Sequence, residues 1–209
     1  MYLPNHYRED NLQTQHDLMR AHPLATLVSA GVSGLMANSI PFLVYPDEGE
    51  FGVLRAHVAR ANPHWKELKT VMECMVLFQG ADDYIRPAWY PSKQEHGKVV
   101  PTWNFVTVHA WGAPKIFEDD TWLRRQVGDL THAREHAQLD PWKVDDAPAD
   151  FTAALFKAIV GIEIPIARIE GKWKVSQNRP ASDRVGVIEG LRGQGKLSEP
   201  MAELVEKRG

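Results

Sequence analysis

From residue 24 to residue 111 the chain lays down one short β-branched or apolar segment after another, separated by Gly and Pro turns. It does not alternate them with helices in the manner of βαβ units. That pattern constrains the fold most, because strands joined by tight turns pair antiparallel, whereas a parallel sheet needs a long crossover between strands. Residues 24–30 have the content of a strand, 31–34 read as a turn, and 35–45 return with apolar and small polar residues near period two. Pro41 inside this second arm predicts a sheet edge or a bulge, where backbone donors face something other than a neighbouring strand. Residues 50–56 read as a third strand and 72–79 as a strand buried on both faces. Residues 84–86 and 102–111 continue the series, 112–114 bend the chain into a sixth strand, and 161–170 form the last.

Helices are expected over 10–22, ended by Pro23, and as a short one opened by Pro63. Others are expected from the capping run at Asp119 to about His136 and over 150–160, and helix is favoured over sheet from 182 on. The fold class is therefore α+β, built on a small antiparallel barrel with peripheral helices. The Pro- and Asp-rich stretch 140–149 is the one candidate boundary and is too short to separate domains. A single domain over 1–209 with a helical C-terminal extension is expected.

Composition closes off other classes. Hydrophobic residues make up 44% and charged residues 24%, which excludes a disordered or collagen-like chain. No apolar run reaches the roughly twenty residues of a membrane-spanning helix. The first ten residues lack the basic-then-apolar pattern of a secretory leader, and Cys74 is the sole cysteine, so a cytoplasmic protein is expected. With 24 basic and 27 acidic residues the net charge is −3, so nucleic-acid binding would need a local basic stripe.

Several motifs look like chemistry and fail a second test. Gly190-Leu191-Arg192-Gly193-Gln194-Gly195-Lys196-Leu197 is nearly a phosphate-binding P-loop, but Leu197 cannot ligate Mg²⁺ and no strand precedes it. A glycine-terminated helix with a flexible tail is preferred. His132, Glu135 and His136 match the inverted zinc-peptidase string, yet no third protein ligand is apparent, so solvated histidines are the expectation and no metal is assigned. Cys74 sits among Val71, Met72, Met75 and Val76, where a thiol stays protonated. Nine histidines would permit haem ligation, but no c-type attachment sequence is present.

Three segments are more informative. Arg55, His57, Arg60 and Asn62 gather two guanidinium groups, an imidazole and an amide between a strand and a helix start, a combination suited to holding a phosphate. A solvated basic loop is the alternative. Trp89-Tyr90-Pro91-Ser92-Lys93 and the run ending in Trp103 and Asn104 cluster aromatic, amide and cationic groups that suit a planar heterocycle or, equally, a packed aromatic core. Residues 170–180 collect nearly every polar side-chain type directly after an apolar strand, as a site or as a basic surface loop.

Taken together, these segments resemble the PaiB family of FMN-binding transcriptional regulators, from residue 1 to about 195. The resemblance is carried by residues 1–4 with 7–10, 57–63, 78–80, 89–93, 97–104, 108–110 and 169–180 with Asp183 and Arg184. It implies a split β-barrel of the pyridoxamine-phosphate-oxidase type and a homodimer with FMN in the groove between subunits. Carried over residue by residue, Arg60 and Asn62, with His57 beside them, would bind the phosphate. Asn38, Ser39 and Ile40 would face the isoalloxazine edge through backbone groups. Trp103 and Asn104 would come from the partner subunit, and Lys174, Gln177 and Asn178 would belong to the pocket. Three functions follow from the resemblance: a flavin-binding, redox-responsive regulator, an FMN-dependent oxidoreductase, or a haem-binding or haem-degrading protein. Arg124 and Arg125 are flanked by Glu118, Asp119, Asp120 and Asp129, a poor footprint for DNA.

Overall fold

A computed structural model describes residues 1–208. Ten strands and seven α-helices follow in the order β1 (Arg8–Glu9), α1 (Leu12–Ala21), β2 (Leu24–Gly31), β3 (Gly34–Pro41), β4 (Leu43–Tyr45), β5 (Val53–Ala59), α2 (His64–Leu68), β6 (Cys74–Ile85), α3 (Ser92–His96), β7 (Thr102–Gly112), β8 (Lys115–Phe117), α4 (Asp120–Glu135), α5 (Ala149–Lys157), β9 (Ile159–Pro165), β10 (Arg168–Lys174), α6 (Ala181–Gln194) and α7 (Glu199–Arg208). They form two compact units. The first comprises Met19–Phe78 and His109–Ile169; the second comprises Met1–Leu18, Gln79–Val108 and the chain from Glu170 onward.

In the first unit β2 and β3 make the expected hairpin, in register from Leu24 opposite Pro41 to Gly31 opposite Gly34. Gly34 has a φ of 97°, the left-handed conformation that glycine tolerates in such a turn. The opposite side of β2 pairs with β6, which leaves β3 at the edge of the sheet, as Pro41 predicts. The arm does not continue to residue 45 as one strand. Phe42 is 1% exposed and its N–H donates to the Pro23 carbonyl at 2.8 Å, so the chain crosses over and β4 enters a second sheet, of order β4-β5-β9-β8.

Other boundaries also move. β5 starts at Val53 rather than residue 50, because Gly49 and Gly52 turn the chain at φ 73° and 90°. Residues 84–85 are the end of the twelve-residue strand β6 rather than a separate strand. Along its first half β6 buries Cys74, Val76 and Phe78 and leaves Met75 and Leu77 half-buried, so only one face is closed. Helix α5 stops at Lys157, because Ile159 and Val160 pair with Ala59 and Val58 of β5. The strand expected over 161–170 is two strands: Pro165 ends β9, and the next two amides turn to the carbonyls of Gly52 and Trp111. Asp119 caps α4 as expected, accepting from Trp122 N at 2.8 Å. The unit's core is Leu27, Phe42, Leu54, Val76, Phe78, Ile162 and Ile164.

In the second unit β1, β10, β7 and β6 lie side by side, and α6 and α7 follow. The P-loop-like glycines belong to helix α6: a side chain at Gly186 would strike the Trp89 carbonyl, and one at Gly190 the Trp89 indole. They are small so that α6 can lie against the Trp89 turn, not to cradle a phosphate. Gly195 closes α6 at φ 104°, but α7 follows it instead of a flexible tail and buries Met201, Ala202 and Val205.

Candidate functional site

The turn between β5 and α2 carries the residues expected to hold a phosphate. Arg60 Nη1 donates to Glu118 Oε2 at 2.6 Å, and its Nε and Nη2 donate to the carbonyls of Lys157 and Ile159 at 2.9 and 3.3 Å. Lys69, directly after α2, donates to the other oxygen of Glu118 at 2.9 Å. These two hydrogen bonds hold the Glu118 carboxyl below the usual carboxylate range. Two cations thus converge on one internal anion beside a cleft of about 390 Å³ lined by Arg60, Glu118, Arg124 and Lys157.

His57 faces elsewhere. Its Nδ1 lies 2.7 Å from Oε1 of the buried Gln126, and the ring lines an apolar cleft of about 380 Å³ with Val127, Trp142, Leu155 and Phe156. Arg55 is saturated by Glu48 at 2.9 and 2.6 Å and by Glu163 at 2.8 Å. Asn62 caps α2, its Oδ1 accepting from His64 N at 3.0 Å.

The same junction holds a residue that sequence reasoning missed. His64 is fully buried, with Asn38 Nδ2 at 2.9 Å from its Nδ1 and Ser29 Oγ at 2.8 Å from its Nε2. Burial pushes its pKa below the ordinary histidine value, against the opposing charge of Glu67. Its one sequence signal is its place directly after the segment 57–63. Along β3 the half-buried Asn38 shares a face with the buried Ile40, while Ser39 points to the exposed face.

In the second unit, the start of β7 and the end of β10 bring Lys174 against Trp103 and set Asn104 against Ser176. Asn104 is fully buried; its Nδ2 donates to Ser176 Oγ at 2.9 Å and its Oδ1 has no partner. Ser176, at φ 66°, is the one non-glycine residue with positive φ among the described residues. Lys174 donates to Thr102 Oγ1 and, at 2.5 Å, to the Trp103 carbonyl. Burial, with help from Lys172 and Arg179, lowers its pKa. Gln177 spends its amide locally, accepting from Val175 N at 2.8 Å and donating to the Trp173 carbonyl at 2.5 Å. Trp103 is half-exposed, with its indole N–H on Asp82 at 2.8 Å, and Asn178 is exposed.

The remaining motifs lead elsewhere. Among the described residues no group of three or more metal-ligating side chains is assembled, and His132 and His136 are exposed at the end of α4 with ring centroids 5.4 Å apart. Cys74 is buried, donates to the Gly112 carbonyl at 3.5 Å, and has its thiol pKa pushed up to about 12 by that burial. Among the described residues, no helix is long and apolar enough to cross a membrane.

The antiparallel sheets with their peripheral helices define an α+β protein of the split-barrel class. The comparisons agree. Residues 1–168 match the family described as "Putative FMN-binding domain", and the chain belongs to that PaiB-like family, whose cofactor is FMN. An uncharacterised protein of Emericella nidulans is 34% identical over 100% of this chain and 98% of its own length. The "Protease synthase and sporulation protein PAI 2" of Bacillus subtilis is 27% identical over 100% of this chain and 98% of its own. Among solved structures, a conserved hypothetical protein of Mycobacterium tuberculosis superposes with a TM-score of 0.60 at 13% identity, covering 86% of this chain and 94% of that one. An FAD and haem binding protein of Mycobacterium smegmatis gives 0.57 at 16% identity, covering 80% and 73%. Both share the fold.

Arg60 and Lys69, a guanidinium and an ammonium pointed at one carboxylate, have the donor chemistry that the phosphate of FMN would require.

Proposed function

We propose that this chain is a cytoplasmic FMN-binding regulator that works as a homodimer, with the flavin held at the seam between two copies. The observation that carries the reading is the convergence of Arg60 and Lys69 on one carboxylate. In this reading the phosphate exchanges with Glu118 on Arg60 and Lys69, with Asn62 and His57 shaping the strand and turn around them. The edge of β3 at Asn38, Ser39 and Ile40 meets the ring, Trp103 and Asn104 reach it from the partner subunit, and Lys174, Gln177 and Asn178 belong to the pocket. The bound flavin supplies hydride or electron transfer, through which the protein would report redox state.

The regulatory part of the reading rests on the resemblance to the PaiB family. Direct reading of DNA has little support, since two of the helical arginines are engaged by carboxylates: Arg124 by Asp120 at 2.6 Å, and Arg192 by Glu199 and Glu206 at 3.1 and 2.9 Å. Regulation then runs through a protein partner, and tight sequence-selective gel shifts by the purified protein would overturn that part.

The decisive experiment is purification followed by gel filtration with absorbance and light scattering. A yellow dimer that keeps its flavin spectrum is the expected result; a colourless monomer that ignores added FMN refutes it. Arg60→Ala should weaken FMN binding by about 1.5–3 kcal/mol, the range of a hydrogen bond to a charged group, as read by calorimetry. A second reading, FMN-dependent oxidoreductase, draws on the apolar cleft beside His57, which would take a small substrate. Turnover of reduced nicotinamide with an acceptor would favour it, and a Soret band on adding haemin would favour haem instead.

A further inference from the structure

We infer that His64 fixes the hydrogen-bonding polarity of Asn38, so that Asn38 Oδ1 becomes the acceptor that recognises the imide N–H of the flavin ring. The inference rests on the FMN reading above. His64 is fully buried and meets no carboxylate within hydrogen-bond reach; its two ring nitrogens face Ser29 Oγ at 2.8 Å and Asn38 Nδ2 at 2.9 Å. An imidazole desolvated in this way stays neutral and carries one N–H. Asn38 donates through Nδ2 to Nδ1, so the ring proton sits on Nε2 and is given to the Ser29 hydroxyl. The Asn38 amide is then held one way round, and among the described residues no donor meets its carbonyl oxygen.

This oxygen belongs to β3, the edge of its sheet, at the first of the three residues expected to face the flavin. The imide edge of an isoalloxazine presents one N–H between two carbonyls. Backbone N–H groups on a free strand edge can serve the carbonyls, but the N–H needs an acceptor, and a side-chain oxygen of fixed orientation supplies one. His64 is therefore a positioning residue, acting on the ligand through Asn38. The opposite amide orientation would set a donor against the imide N–H and leave both unpaired.

The test is an equilibrium titration of the full-length wild-type protein with FMN and with FMN methylated at the imide nitrogen, read by flavin fluorescence. The methylated compound is expected to bind about ten- to a hundredfold more weakly, the cost of leaving a buried acceptor unpaired. In Asn38→Ala the two compounds should bind nearly equally. In His64→Gln, whose amide can adopt either orientation, the ratio should collapse while FMN binding persists; a merely structural role would weaken both compounds together and leave the ratio alone. Equal affinities in the wild type overturn the inference with the FMN reading intact. Failure of both compounds to bind overturns the FMN reading itself.

Discussion

Lowering the pH from 7.5 to 5.5 should destabilise the protein in part through one histidine, and the size of that part follows from its surroundings. His64 is fully enclosed, its ring nitrogens face the neutral Ser29 and Asn38 side chains, and the charge nearest in effect is Glu67, which only partly opposes the loss of solvent. Its pKa in the fold is thus below the unfolded value of about 6.5. Above 6.5 neither state binds the proton and the group adds no pH dependence. Below 6.5 the unfolded chain takes a proton that the fold refuses, so stability falls with falling pH until the folded pKa is reached. One unit below the unfolded pKa this loss is at most about 1.4 kcal/mol, from RT ln(1 + 10). Urea unfolding at the two pH values reads it directly. His64→Gln should be less stable at pH 7.5, yet lose less on acidification than the wild type, by up to that amount. If both proteins lose the same stability, the imidazole is not held neutral, and the polarity argument for Asn38 loses its footing.

Three further outcomes can be checked independently. Gly161→Ala would drive a methyl group into the ring of Trp122, which is stacked on Phe117 at 4.6 Å; overpacking of this kind costs about 1–3 kcal/mol, and an unchanged melting temperature would show that the indole yields freely. Asp183→Ala removes a buried carboxylate that accepts from Ser92 N at 3.1 Å and Ser92 Oγ at 2.7 Å, and chemical denaturation should show a loss of about 2–3 kcal/mol. Glu118→Gln removes the internal anion held by Arg60 and Lys69, so FMN should bind more tightly at low salt in calorimetry; weaker binding would mean that the carboxylate organises the site rather than occupying it.

What could be read from the sequence was what a residue declares locally. Pro41 lacks an amide donor, so inside a strand pattern it announces a sheet edge or a bulge, and Asp119 announces a helix start. The crossing at Phe42 is silent, because a strand that changes sheets keeps the same alternation on either side of the break. The partners of His64 lie 35 and 26 residues away, and Glu118 is 58 residues from Arg60, so neither cluster leaves a spacing to recognise. The glycines of α6 misled in the other direction: their spacing copies a phosphate loop, but the cause is the Trp89 turn against which they pack.

The Arg60–Glu118–Lys69 cluster also shows why a basic segment does not translate directly into a free anion site. Two cations aimed at one point repel each other, and Glu118 relieves that repulsion by contributing its own charge to both. In the proposed reading, phosphate binding there would exchange one anion for another, so affinity would reflect the difference between a phosphate dianion and a carboxylate rather than the full attraction of two cations. That difference is smaller than the attraction itself, and it predicts a shallower salt dependence for FMN than two unpaired cations would give. A steep dependence would mean that Glu118 withdraws before the phosphate arrives.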